Sequence, residues 1–172
     1  MLLVEASEIV KNLWQGSFPR PGREVRASGF SLLVLCAHEL QEPASSYPDV
    51  EVVHAPNYDD DRRRLNRERL ELAVMAARKV TKALQNGRKV LVTCAAGLNR
   101  SGLVTGLALH MYLGWEGADC VDMIRKKRGE RHGLQPLCNP DFERALLKLS
   151  RTTAQRTPTG WRETSDGLIV PV

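Results

Sequence analysis

Residues 90–102 read Val90-Leu91-Val92-Thr93-Cys94-Ala95-Ala96-Gly97-Leu98-Asn99-Arg100-Ser101-Gly102. The segment opens on β-branched and apolar residues, the pattern of a buried strand. After a short loop it enters Ser101–Leu113, a nearly unbroken apolar run of helical length that Gly114 stops. A strand, a tight loop and a helix N-terminus in succession make a cradle for an anion, because the loop amides and the helix dipole converge on one point. Between Cys94 and Arg100 the loop offers six amides after the cysteine, a permissive Gly97 and no acidic side chain. The helix field and Arg100 together favour a reactive thiolate at Cys94. Arg100 can grip two anion oxygens at once, and Ser101 can donate to the Cys94 sulfur.

Spacing alone does not establish such a site. Cys138-Asn139-Pro140-Asp141-Phe142-Glu143-Arg144 has the same C-x5-R spacing. It loses an amide at Pro140, places Asp141 and Glu143 where an anion would sit, and follows no strand, so it is rejected as a cradle.

Working outward, Glu8 to Gln15 alternates and then meets Gly16-Ser17, which predicts short strands and a turn. Arg23 to Ser28 predicts a brief helix. Ser31 to Ala37 is a continuous apolar run, hence a buried strand. Val50 to Ala55 predicts another strand, closed by Pro56 and followed by a loop over Asn57-Tyr58-Asp59-Asp60-Asp61. From Arg62 to Gln85 the apolar spacing is helical, with Leu70, Val74, Ala77, Thr81 and Leu84 on one face and Asn86-Gly87 as the stop. Lys89 to Thr93 predicts a third strand of this kind. Gly117 to Lys127 predicts a helix that runs out into Arg125-Lys126-Lys127-Arg128-Gly129. Asn139-Pro140 is an N-cap with proline at the first helical position, opening a last helix to Leu149. Strands alternating with helices imply an α/β fold: a central, mostly parallel sheet of about five strands with helices on both faces.

The 172 residues suit one domain that buries enough surface to need no staples. We assign residues 1–150 to that domain. Residues 151–172 are polar, turn-rich and basic, and read as a tail that would dock through Trp161 and Leu168-Ile169-Val170. The net charge of +5 favours anionic partners, for which a phosphate ester suffices. The four cysteines (Cys36, Cys94, Cys120 and Cys138) form no C-x-x-C pair, so zinc-ribbon and thioredoxin chemistry are excluded and no metal or cofactor is expected. Cys36 in an apolar run implies a reduced thiol and an intracellular, cytoplasmic setting. Glu5 and Glu8 argue against a signal peptide. The longest uncharged stretch, Ser101 to Trp115, falls short of the roughly 20 apolar residues that span a bilayer, so no membrane partner is expected.

The cysteine–arginine loop resembles that of protein tyrosine and dual-specificity phosphatases, and the resemblance extends over most of residues 7–149. Glu8-Ile9-Val10 through Leu13-Trp14-Gln15-Gly16-Ser17 is similar to that family's opening strands. Val121 to Arg128, then Asn139-Pro140-Asp141-Phe142, is similar to its closing helices. The resemblance implies a metal-independent, two-step mechanism through a phospho-cysteine at Cys94. Phosphate would be held by Arg100 and the backbone of Ala95, Ala96, Gly97, Leu98 and Asn99, with Ser101 assisting the departing sulfur. In Ala55-Pro56-Asn57-Tyr58-Asp59 the family's pattern points to Asp59 as general acid, with Asp60 and Asp61 as rivals. One departure is Thr93, where the family usually carries a histidine that supports the thiolate; threonine there implies slower turnover.

The leading expectation is a monomer that hydrolyses phosphotyrosine in proteins, with phosphoserine and phosphothreonine as further substrates. Two alternatives stay open. The Leu98-Asn99-Arg100 ending is similar to RNA 5′-triphosphatases, and Arg62, Arg63, Arg64 and Arg67 could face a polyanion. Thr93 also motivates a phosphate-binding pseudophosphatase. The uncharged positions Ala95, Ala96, Leu98 and Asn99 point away from phosphoinositides, and Cys36, Cys120 and Cys138 carry no signature of the resolving thiols that arsenate reduction needs.

Overall fold

In a computed structural model, which describes residues 2–60, 62–150, 161–163 and 169–171, the chain begins with a hairpin of Ala6–Val10 (β1) and Leu13–Ser17 (β2). Val10 pairs with Leu13, so the turn lies at Lys11-Asn12 rather than at Gly16-Ser17. Asn12 takes φ 68°, a conformation asparagine tolerates, and its N–H donates to the Glu8 carboxylate. Gly16 instead sits inside β2, where a Cβ would collide with the Glu5 carbonyl.

The short helix Glu24–Ala27 (α1) leads into Leu32–Ala37 (β3), which is buried at every position. After a 3-10 turn at Ala44–Ser46, the strand Glu51–Asn57 (β4) runs through Pro56 instead of ending before it. β4 pairs only with β3, and an edge strand accommodates proline because one side of its backbone carries no ladder. The helix Arg67–Gln85 (α2) starts five residues later than the apolar spacing suggested, at the cap where Asn66 accepts from the Arg69 N–H. Val90–Cys94 (β5) and Arg100–Leu113 (α3) follow, with Gly114 closing α3 in the left-handed conformation. The next helix, Gly117–His132 (α4), continues past Lys127 and Gly129 to a left-handed Gly133. Pro140–Leu147 (α5) completes the domain.

The sheet order is β1-β2-β5-β3-β4, with β1 antiparallel and the other neighbours parallel. Leu32, Val34, Val90 and Val92 point to the face covered by α2–α5, whereas Leu33, Leu35 and Leu91 meet Val25 of α1, Phe30 and Tyr47 on the other. Helices therefore lie on both faces, four on one and a single short one on the other. α3 packs between the sheet and its neighbour helices, which is why it is apolar all round.

Beyond residue 150, Trp161–Glu163 (β6) and Ile169–Pro171 (β7) pair antiparallel as a separate sheet. The segment expected as a turn-rich tail thus forms two strands, and its docking lies outside the described residues. Among the described residues, no helix is long and apolar enough to cross a membrane. No group of three or more His, Cys, Asp or Glu side chains there could hold a metal ion.

Candidate active site

β3, β4 and β5 end at the same edge of the parallel sheet, the place where such sheets present their loops. β5 is the central strand, so the loop at residues 95–99 opens over the middle of that edge. Cys94, its last residue, is buried, and its sulfur lies 3.3 Å from the Ser101 hydroxyl in the first turn of α3.

The loop is held from outside by its carbonyls. The Ala95 carbonyl accepts from Phe18 N–H at 3.4 Å, the Ala96 carbonyl from Arg128 at 3.1 Å, and the Gly97 carbonyl from Gln15 at 2.9 Å and Arg128 at 3.0 Å. In a trans peptide the following N–H points opposite its carbonyl, so the amides of Ala96, Gly97 and Leu98 face away from these supports, as an anion cradle requires. Gly97 cannot be replaced: it takes φ 68°, and a Cβ there would strike the Gly16 backbone and the Arg128 guanidinium.

Arg128 is the feature that sequence reading missed. It belonged to a basic helix end in that reading, but α4 continues and Arg128 is fully buried, with a bidentate pair of 2.5 and 2.6 Å to Glu5. The available signal was its spacing from Val121 and Ile124, which places an arginine on the apolar face of the helix. Burial alone would raise the Glu5 carboxyl; the bonds from Arg128 and Ser17 instead hold it at about 2.

Arg100 is 7% exposed. One terminal nitrogen donates to Glu39 at 2.6 Å and to the Asn57 carbonyl at 3.4 Å, while its buried Nε has no protein partner. Burial opposes the Arg100 charge, but Glu39, and then Cys94 and Asp59, outweigh it and strengthen the guanidinium's hold on its proton. An oriented arginine with an unpaired inward donor suits an oxyanion.

Asp59 stands at the mouth of the loop, accepting from Asn99 at 3.0 Å and from Asn139 at 2.9 Å. Its rivals differ. Asp60 caps the next turn, accepting from the Arg62 and Arg63 N–H groups and pairing with the Arg63 side chain, which lowers its carboxyl. Asp61 lies outside the described residues. A cleft of about 340 Å³ beside Asp59 is lined by His38, Glu39, Tyr58, Asp60, Arg63 and Arg100. Of the four arginines that could face a polyanion, three are paired: Arg63 with Asp60, Arg64 with Asp141 and Arg67 with Glu71.

Thr93 is fully buried and its hydroxyl donates to the Val34 carbonyl at 3.0 Å, so it braces the sheet and does not reach the loop. The rejected segment at Cys138 behaves as its composition implied. It is the start of α5, where Asn139 caps the Asp141 N–H and Arg144 pairs with Asp141.

Residues 13–151 match the family model "Dual specificity phosphatase, catalytic domain". No match is found among curated proteins. Among solved structures, human DUSP28 is 23% identical with a TM-score of 0.67, covering 83% of this chain and 90% of its own. Tk-PTP in its active form is 23% identical with a TM-score of 0.63, covering 84% and 94%. The human tyrosine phosphatase-like serine/threonine/tyrosine-interacting protein is 18% identical with a TM-score of 0.63, covering 83% and 93%.

Proposed function

This chain belongs to the dual specificity phosphatase family, and from that membership we propose that it hydrolyses phosphotyrosine in proteins, together with phosphoserine and phosphothreonine, through a phospho-cysteine at Cys94. The observation that carries the reading is the buried Arg100 Nε without a protein partner, at the start of the helix whose Ser101 touches the Cys94 sulfur.

In the first step the Cys94 thiolate attacks phosphorus and the P–O ester bond breaks. The departing oxygen takes a proton from Asp59. Arg100 and the amides of residues 95–99 neutralise the charge that spreads over the equatorial oxygens. In the second step water attacks the phospho-cysteine, Asp59 takes the water's proton, and phosphate leaves as the Cys94 thiolate re-forms with the Ser101 hydroxyl donating to it. None of these steps calls on a metal. The pairing of Arg63, Arg64 and Arg67 with carboxylates supports a protein substrate over triphosphate-ended RNA, since a polyanion would meet neutralised arginines beside Asp59 and Asp60.

The test is turnover of a phosphotyrosine peptide and of an aryl phosphate. The wild type releases phosphate from both with chelator present, and Cys94→Ser abolishes release. Activity that survives Cys94→Ser, or that chelator removes, overturns the mechanism. Faster γ-phosphate release from triphosphate-ended RNA overturns the substrate class. Phosphopeptide binding without turnover identifies a binding module instead.

A further inference from the structure

The segment rejected as a phosphate site, Cys138 to Arg144, and Leu137 just ahead of it lie against the acid loop and hydrogen-bond both to it and to the phosphate loop. Leu137 takes φ 57°, costly for a branched residue, and donates its N–H to the Leu98 carbonyl. Arg125 holds the Leu137 carbonyl at 3.2 Å. The side chains that follow are thus fixed beside the loop. Asp141 accepts from the Arg64 guanidinium and from the Leu65 N–H at 3.2 Å, tying the far end of the acid loop to α5. Arg64, ahead of the Leu65 N–H, holds the Asp141 carboxyl at about 2, so this latch stays charged across neutral pH.

Asn139 closes the near end. Its Oδ1 accepts from the Asp141 N–H at 3.0 Å as the helix cap, which leaves Nδ2 to donate to Asp59. Asn99 is oriented in the same way: its Oδ1 accepts from the Asn139 N–H at 3.3 Å and its Nδ2 donates to the other Asp59 oxygen. Neither amide can turn over without breaking a second hydrogen bond, so both can only donate. Each Asp59 oxygen keeps a further lone pair, and the carboxyl can carry or take a proton without disturbing the clamp.

We propose that Asn139, together with Asn99, is a positioning residue that holds the Asp59 carboxyl over the phosphate loop for proton transfer to the leaving oxygen. The inference rests on Asp59 acting as the general acid. Asn99 belongs to the phosphate loop, so the acid is referenced directly to the atoms that hold the substrate. Asn139 belongs to α5, so the reference extends to the helical layer. A group displaced by about 1 Å from its proton-transfer geometry loses up to about 100-fold in rate, which is the margin such a clamp protects.

The experiment compares kcat/KM for 4-nitrophenyl phosphate, a good leaving group, with that for phenyl phosphate, a poor one. Four full-length variants are measured beside the wild type: Asp59→Asn, Asn139→Ser, Asn139→Asp and the double variant Asp59→Asn/Asn139→Ser. Serine and aspartate both preserve the α5 cap, so folding is not at issue, but neither can donate the amide hydrogen bond. We expect Asn139→Ser to lose about tenfold on phenyl phosphate and less than about twofold on 4-nitrophenyl phosphate. Asn139→Asp, which sets a second carboxylate against Asp59, loses more. In the Asp59→Asn background the serine change costs nothing further on phenyl phosphate.

If Asp59→Asn fails to widen the gap between the two substrates, the general-acid reading itself falls. If Asp59→Asn widens it and Asn139→Ser does not, or if Asn139→Ser costs as much with Asp59 already removed, the positioning role is overturned and the acid assignment stands. Wild-type behaviour of Asn139→Asp likewise overturns the positioning role.

Discussion

At the scale of single residues, the site depends on a few positions where one atom decides the outcome. Gly97 is one, because its φ and its approach to Gly16 exclude any side chain. Gly97→Ala should cost about 2–4 kcal/mol, combining left-handed strain with a backbone collision, and should weaken binding of the phosphate analogue vanadate. Chemical denaturation and inhibition by vanadate check the two parts. Thr93 carries the opposite expectation. Since its hydroxyl bonds to Val34, Thr93→Val should lower stability by about 1 kcal/mol and leave kcat within about twofold. A large loss in kcat would mean that the hydroxyl serves the thiolate after all. Cys94, Gly97, Arg100 and Ser101 were legible because their chemistry is local: strand, loop and helix are consecutive in the chain. Asn139 was legible only as a cap, since nothing in Asn139-Pro140-Asp141 announces that its amide nitrogen meets an aspartate eighty residues earlier.

At the scale of elements, the phosphate loop is carried by its neighbours. Glu5 just ahead of β1, Gln15 of β2 and Arg128 of α4 converge behind it. Arg128 is fully buried whereas Glu5 is partly exposed, so removing Glu5 leaves a buried guanidinium without its carboxylate and destabilises the domain. The pair is also a source of pH dependence. Glu5 is held at about 2 against an ordinary 4.5, so its contribution is complete above 4.5 and is lost as pH falls from there toward 2. Asp141, held at about 2 against 3.8, adds to the loss over the lower part of that window. The denaturant midpoint should therefore drop across this range, and Glu5→Gln should flatten the drop. An unchanged acid slope in Glu5→Gln would show that the pair contributes nothing. Helix α4 hid this arrangement from sequence reading, because four basic residues in a row suggest a frayed, solvated end; the length of the helix and its contact with β1 assign Arg128 to the interior.

At the scale of the whole molecule, the five-stranded sheet and five helices close between Ala6 and Leu147, while β6 and β7 pair only with each other. The family model likewise ends at residue 151. A chain ending at residue 150 should keep its melting temperature within about 2 °C, because the two apolar clusters that form the core are built from residues before it. Its turnover of an aryl phosphate should match that of the full chain. A drop in either would make residues 151–172 part of the domain. The net charge of +5 says little about the site, since Arg63 and Arg64 beside it each pair with a carboxylate.

Sequence by itself determined the parts whose physics is local. These are the apolar runs of β3 and β5, the apolar helix α3 with its glycine stop, and the loop whose composition admits an anion. It also set the C-x5-R that admits an anion apart from its decoy, because proline and acidic side chains spoil a cradle wherever they fall. Only the tertiary structure decided that Asp59 meets the loop, that Arg128 and Glu5 brace it, and that the decoy supplies the clamp on Asp59. Those contacts join residues 40, 80 and 123 positions apart. Their partners are chosen by how strands and helices stack, and periodicity and spacing carry no record of that.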